Sequence, residues 1–217
     1  MSPDTIDTAS SESSVLLTAT DLSCIRGDRL LFSGLNLQVM TGQVLELRGD
    51  NGSGKTSLLR ILASLAQPEE GSLLWKGFDL NQQRAEYLQD MIYIAHKEGV
   101  KLALSALENL RFYQAMLVQG NDVSLEDTLR FVGLEDFRDM PASSLSSGQR
   151  RRLALARLKI STAKLWLLDE PLTSLDESNK KMVKKLIIDH INSQGSVVLT
   201  SHDEIDWAQN PVETIRL

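Results

Sequence analysis

The apolar residues change period along the chain. Over residues 15–48, short β-type runs alternate with polar turns: VLLTAT, then LLFSGLNLQV after the Arg26-Gly27-Asp28-Arg29 turn, then QVLELR after Thr41-Gly42. They predict a small antiparallel sheet that feeds a buried strand. In residues 54–66, GKTSLLRILASLA, the residues Leu58, Leu59, Leu62 and Leu65 recur at helical spacing, and Pro68 with the Gly71 turn ends the helix. Strand, glycine loop and helix thus follow one another.

Residues 72–95 hold two more β-like runs, SLLWKG and MIYIA, around a polar helical stretch. Ser105-Ala106-Leu107-Glu108 has capping-box spacing and opens an amphipathic helix to about Val118. A second helix starts near Ser124, and the two form a helical insert ahead of Pro141. Then come a helix over 148–160, the apolar strand KLWLLD, and a helix over 178–192 with Met182, Val183, Leu186 and Ile187 inward. The strand SVVLTS, a short helix and a last run, VETIRL, complete the chain. Strands alternating with helices predict an α/β fold with a mostly parallel, covered sheet. No internal repeat or coiled-coil heptad is visible.

Residues 1–14, MSPDTIDTASSESS, are too polar to repay the entropy of ordering and are expected to form a flexible tail. The other residues, 15–217, suffice for one large domain. Of the 217 residues, 42% are hydrophobic and 24% charged, enough for a full core. Subtracting 29 acids from 23 bases gives −6, which disfavours sequence-independent binding to nucleic acid or anionic membranes. One cysteine, Cys24, excludes an intramolecular disulfide and a multi-Cys zinc site, and suits a reducing cytosol. The first basic residue is Arg26, so residues 1–25 lack the positive region of a secretory signal. The longest uncharged stretch, residues 30–45, is short and diluted by polar residues, so no helix across a bilayer is expected.

Gly49-Asp50-Asn51-Gly52-Ser53-Gly54-Lys55-Thr56 fits G-x-x-x-x-G-K-[ST] between a buried strand and a helix. Its fixed positions coincide by chance in roughly one chain in a hundred of this length. Glycines let backbone N–H groups turn in around phosphates, Lys55 reaches the β/γ oxygens, and Thr56 offers a hydroxyl to Mg²⁺. Leu165-Trp166-Leu167-Leu168-Asp169-Glu170 is an apolar strand ending in two carboxylates, a form that delivers Asp169 to Mg²⁺ and leaves Glu170 to polarise a water.

Leu145-Ser146-Ser147-Gly148-Gln149 resembles the signature motif of the ABC ATPases, 20 residues ahead of Asp169 (169 − 149) as in that family. Its serines and the first N–H groups of the following helix form an anion site suited to the γ-phosphate of ATP held by a second molecule. Ser174-Leu175-Asp176 matches the family's D-loop, and Thr200-Ser201-His202-Asp203 its switch histidine, with His202 placed to hydrogen-bond the γ-phosphate. The resemblance covers about residues 15–217. It implies an ABC ATPase fold: a phosphate-loop core, an N-terminal antiparallel β-subdomain and a helical subdomain over about 97–158. It also implies ATP and Mg²⁺ as ligands, with Lys55, Glu170 and His202 catalytic.

Two departures narrow the family. Where an aromatic residue normally stacks on adenine, the chain has Arg26, beside Ile25 and Arg29; its guanidinium either lies flat on the base or is a solvated turn residue. At the Q-loop, His96 replaces glutamine and either contacts a Mg²⁺-bound water or packs at the hinge of the helical subdomain. These segments, with residues 97–101 and 108–113, are similar to the ATP-binding subunits of cytochrome c maturation transporters, whose Q-loop position is also His. That resemblance implies a dimer of two copies, docked on integral membrane subunits at the cytoplasmic face of the bacterial inner membrane. Its ATP hydrolysis would drive haem export or release of a haem-loaded chaperone. No CxxCH or His-rich tract occurs, so direct haem contact is not expected.

The competing reading is a soluble ABC ATPase of DNA repair or translation, against which stand one phosphate loop and the 49 residues from His96 to Leu145 (145 − 96), too few for coiled-coil arms. Arg150-Arg151-Arg152 reads as a solvated helix start beside the phosphates. A groove for a helix of the membrane subunit is expected to be lined from residues 96–113, with Leu102 and Leu104 as its exposed anchors and Leu107 and Leu110 as interior residues.

Overall fold

A computed structural model describes residues 14–97, 99–117, 122–202, 205–207 and 212–217. The chain begins as a long antiparallel hairpin of β1 (Val15–Arg26) and β2 (Arg29–Met40), turning at Gly27 with φ 57°. Strand β3 (Val44–Arg48) then enters the second sheet, and α1 (Lys55–Leu62) follows the glycine loop. Strands β4 (Glu70–Trp75) and β5 (Phe78–Asp79) return to the first sheet, giving the order β2-β1-β4-β5. After α2 (Arg84–Gln89) comes β6 (Met91–Ile94). The helices α3 (Ala106–Ala115), α4 (Leu125–Phe131) and α5 (Ser147–Ile160) follow, then β7 (Leu165–Leu168), α6 (Glu177–Asn192), β8 (Ser196–Thr200) and β9 (Val212–Arg216).

The second sheet has the order β6-β7-β8-β3-β9, every pair parallel. Its inner strands are mostly apolar because both faces are covered. Side chains alternate across the pleat. Leu45, Leu47, Leu165 and Leu167 join α1 and the antiparallel sheet in one core, whereas Val44, Trp166 and Leu168 pack with α5 and α6 in another. A third cluster holds α3, α4 and the inner face of α5 together.

Local chemistry fixes the helix starts. Ser105 Oγ accepts from the Glu108 N–H at 3.2 Å while Glu108 accepts from the Ser105 N–H at 2.7 Å, the reciprocal bonds that the spacing predicts. Ser124 caps α4 through the Asp127 N–H. Helix α1 ends at Leu62, and Leu65 is exposed beyond it: Ser64, at φ 55°, turns the chain out of the helix one position before the last leucine of the predicted repeat. The expected end of the first insert helix, Val118, and most of the short helix after β8 lie outside the described residues. No described helix is long and apolar enough to cross a membrane.

Candidate active site

The parallel sheet carries three chain reversals to one edge, where β3, β7 and β8 end side by side. At the first, Gly49 has φ 150°, and a Cβ there would lie 2.6 Å from the Leu217 carbonyl and 2.7 Å from Ser53 Oγ, so only glycine fits. Gly52 and Gly54 also have positive φ, 79° and 112°. Helix α1 starts behind Gly54 with no side-chain cap, so the first-turn N–H groups of the helix are free to receive an anion. Lys55 is buried, and its ammonium donates to the Gly49 and Asp50 carbonyls at 2.6 and 3.0 Å, across the mouth of the loop formed with Asn51 and Ser53.

The Thr56 hydroxyl donates to Asp169 Oδ2 and Oδ1 at 3.0 and 3.1 Å, joining the first turn of α1 to the end of β7. Asp169 is 1% exposed and also accepts from Thr200 Oγ1 at 2.9 Å. The hydroxyl of the exposed Thr56 and the carboxylate of the buried Asp169 are hard oxygen donors, the kind with which Mg²⁺ binds beside substrate phosphates while keeping water ligands. The residues present fit that ion.

Glu170 has φ 49°, a left-handed conformation that turns its carboxylate away from the strand. Its N–H donates to Thr200 Oγ1 at 2.8 Å. One carboxylate oxygen meets His202 Nε2 at 2.6 Å and the other lies 3.4 Å from His96 Nδ1. Partial burial pushes the Glu170 carboxyl up, but the hydrogen bond from His202 and the charges of both histidines outweigh it and hold the group below the usual carboxylate range. The contact made by His96 is therefore with the carboxylate of Glu170. Nearby, burial and the Asp169 charge raise the Tyr93 hydroxyl to about 12.

The signature segment sits at the start of α5. Ser146 Oγ accepts from the Gln149 N–H at 3.2 Å and Gln149 accepts from the Ser146 N–H at 2.8 Å, so these two residues are engaged in a capping box. Ser147 is exposed, and a Cβ on Gly148 would lie 3.6 Å from the Ser174 carbonyl, which places the signature beside the segment after β7. Leu145, in contrast, is a core residue of the helical cluster, 3% exposed, and presents no side chain to a ligand. Arg26 and Arg29 face each other at the hairpin tip, both exposed. Arg29 is the one that reaches the phosphate loop, its guanidinium 3.7 Å from a Cβ built on Gly52. Asp203 lies outside the described residues.

The sequence model of the ABC transporter family matches residues 32–173. The chain belongs to the ABC transporter family. It is 43% identical over 202 residues to the cytochrome c biogenesis ATP-binding export protein CcmA of Aliivibrio fischeri, covering 93% of this chain and 99% of that one. It is 47% identical over 191 residues to CcmA of Methylococcus capsulatus, covering 88% and 92%. Its fold superposes on a Pyrococcus furiosus protein assigned as an ABC transporter ATP-binding protein with TM-score 0.77 at 25% identity, over 91% of this chain and 96% of that one. The dimeric ATP-binding cassette MJ0796, bound to ADP and Pi, matches with TM-score 0.76 at 22% identity, over 87% and 88%. Like its family, the chain is an ATP-hydrolysing protein with the ABC ATPase fold.

Sequence reasoning missed two residues that hold this edge together. Thr200, at the end of an apolar strand, holds both the Asp169 carboxylate and the Glu170 peptide. Arg151 belongs to the arginine run expected to be solvated, yet it is 4% exposed. The run is a set of backbone anchors: Arg150 binds the Leu145 carbonyl, Arg151 reaches the ends of β6 and β7, and Arg152 binds the Val132 and Gly133 carbonyls. Five guanidinium N–H donors suit such work, and nothing in the one-dimensional pattern distinguishes it from a solvated run.

A groove of about 550 Å³ lies between core and helical insert, but of residues 96–113 only Tyr113 lines it. Its exposed apolar rim is Leu88 and Met116. Leu102 is exposed and Leu104 half-buried, their carbonyls accepting from the Ser143 and Ala142 N–H groups; Leu107 and Leu110 are interior.

Proposed function

We propose that this chain is the ATP-hydrolysing subunit of a transporter complex for cytochrome c biogenesis, bound to the cytoplasmic face of the inner membrane through integral membrane subunits. Residues 15–217 form its single ATP-binding domain, with a helical subdomain over about 97–158. The tail expected over residues 1–14 lies outside the described residues except for Ser14, which is bonded to Thr41. Kinship to the CcmA proteins at 43–47% identity supports the pathway, and the placement of Glu170 carries the chemistry.

ATP binds with its phosphates on the N–H groups of the Gly49–Thr56 loop and its β/γ oxygens against Lys55. Thr56 and Asp169 would hold Mg²⁺, whose charge neutralises the phosphate oxygens. Glu170 orients the attacking water. Its lowered proton affinity makes it a weak general base, and phosphoryl transfer through a loose transition state asks mainly for positioning. His202 fixes one Glu170 oxygen and donates to the γ-phosphate, while His96 stands at the other oxygen, at the hinge of the helical subdomain. Arg26 or Arg29 at the hairpin tip covers the base. A second copy completes each site, its Ser146, Ser147, Gly148 and Gln149 meeting the γ-phosphate held on this copy's loop; ATP closes the dimer and hydrolysis reopens it. The membrane subunit inserts a short helix into the groove rimmed by Leu88 and Met116. Haem itself contacts other subunits.

Deleting the gene is expected to abolish covalently attached haem in c-type cytochromes, seen by peroxidase staining of membranes, with rescue by the wild-type gene and none by Lys55→Ala. Normal c-type cytochromes in the deletion strain would overturn the assignment.

A further inference from the structure

The ladder between β6 and β7 ends where the Asp169 N–H donates to the Ile94 carbonyl at 2.8 Å. Beyond that bond the two strands lead into His96 on one side and Glu170 on the other. The Arg151 guanidinium spans this point. One terminal nitrogen donates to the Ala95 carbonyl at 2.8 Å and the His96 carbonyl at 3.3 Å; the other donates to the Asp169 and Glu170 carbonyls at 2.8 and 2.7 Å. Glu170 is therefore gripped on both sides of its backbone, its N–H by Thr200 and its carbonyl by Arg151, in a left-handed conformation that a glutamate adopts only under constraint.

Arg151 comes from α5, whose first turn is the capped signature segment Ser146–Gln149. The same helix is fixed to the insert by Arg152 on the Val132 and Gly133 carbonyls and by Arg157, whose guanidinium lies 4.0 Å from the Tyr113 ring centre. A displacement of α5 is consequently felt at the carbonyls of His96 and Glu170 through one planar, rigid group.

We infer that Arg151 is a positioning residue that couples the seating of the signature helix to the orientation of Glu170 and His96. This rests on the reading of Glu170 as the water-orienting group. In the dimer, the signature of one copy meets nucleotide held by the other, so occupancy of the opposite site adjusts the hydrolytic geometry of this one. Lysine cannot replace the fork: a single ammonium reaches one pair of carbonyls and leaves the other pair free.

The experiment measures steady-state ATP hydrolysis, ATP affinity and melting temperature for the intact membrane complex carrying Arg151→Lys or Arg151→Gln. Both variants are expected to lose turnover about tenfold or more, since displacements near an ångström at a reacting centre cost on the order of a hundredfold, while KM for ATP stays within about twofold. A purely structural residue would lower turnover, affinity and melting temperature together, with Arg151→Lys restoring all three. That pattern overturns the inference, as do unfolding of both variants or turnover within about twofold of wild type in either folded variant. Glu170→Gln, measured alongside, separates the two claims: full turnover in that variant refutes the role of Glu170, whereas full turnover in the Arg151 variants with an inactive Glu170→Gln refutes the coupling alone.

Discussion

The edge where β3, β7 and β8 end and the groove beside the helical insert are built on opposite principles. At the edge, fully buried parallel strands deliver Asp169 and Thr200, and polar groups from separate segments bind one another: Thr56 to Asp169, Thr200 to Asp169 and Glu170, His202 to Glu170. At the groove, helices held by caps and arginine–carbonyl bonds leave Leu88 and Met116 uncovered, 43% and 64% exposed. Chemistry needs positions fixed to fractions of an ångström, and close-packed strands supply them. A docking surface needs apolar area that something else covers, and a small subdomain stitched to the core by polar bonds can offer it while shifting as a body.

The contrast is broken most severely by Glu170→Gln. Turnover of the complex is expected to fall about a hundredfold or more, with ATP still bound and an ATP-closed dimer accumulating, visible by size-exclusion chromatography with light scattering. Wild-type hydrolysis in this variant would remove Glu170 from its assigned role. The complementary change is Leu88→Asp with Met116→Asp. It should leave the isolated protein folded and ATP-binding but abolish copurification with membrane subunits in mild detergent; retained copurification would mean that the docking surface lies elsewhere.

A smaller effect sharpens the comparison at its margin, the hairpin tip, which belongs to neither region. Arg26→Ala should weaken ATP binding by about 1 kcal/mol, and Arg26→Tyr should largely restore it, by titration with a fluorescent ATP analogue. If Arg29→Ala weakens binding and Arg26→Ala does not, the base stacks on the arginine that approaches Gly52.

What was legible in the sequence is what depends on near neighbours along the chain. The glycine loop between β3 and α1, the caps at Ser105 and Ser124, and the paired carboxylates after β7 are local devices, each with bonds or backbone angles set within a few residues. The mostly apolar runs of β3, β7 and β8 likewise announce strands covered on both faces. The end of α1 was misread by one turn because Leu65 keeps the helical period after Ser64 has already turned the chain out of the helix.

By itself, then, the sequence determined the order of elements, the phosphate loop, Asp169 and Glu170, the signature segment and the family these compose. Only the tertiary structure decided that Arg151 is buried among the carbonyls just past two strands, that Leu145 is core, that His96 and His202 flank one carboxylate, and which residues rim the groove. The reason is separation along the chain. Arg151 and Ala95 are 56 residues apart and His202 and Glu170 are 32 apart, so whether an arginine is solvated or a histidine finds a partner depends on which strand ends the parallel sheet brings together.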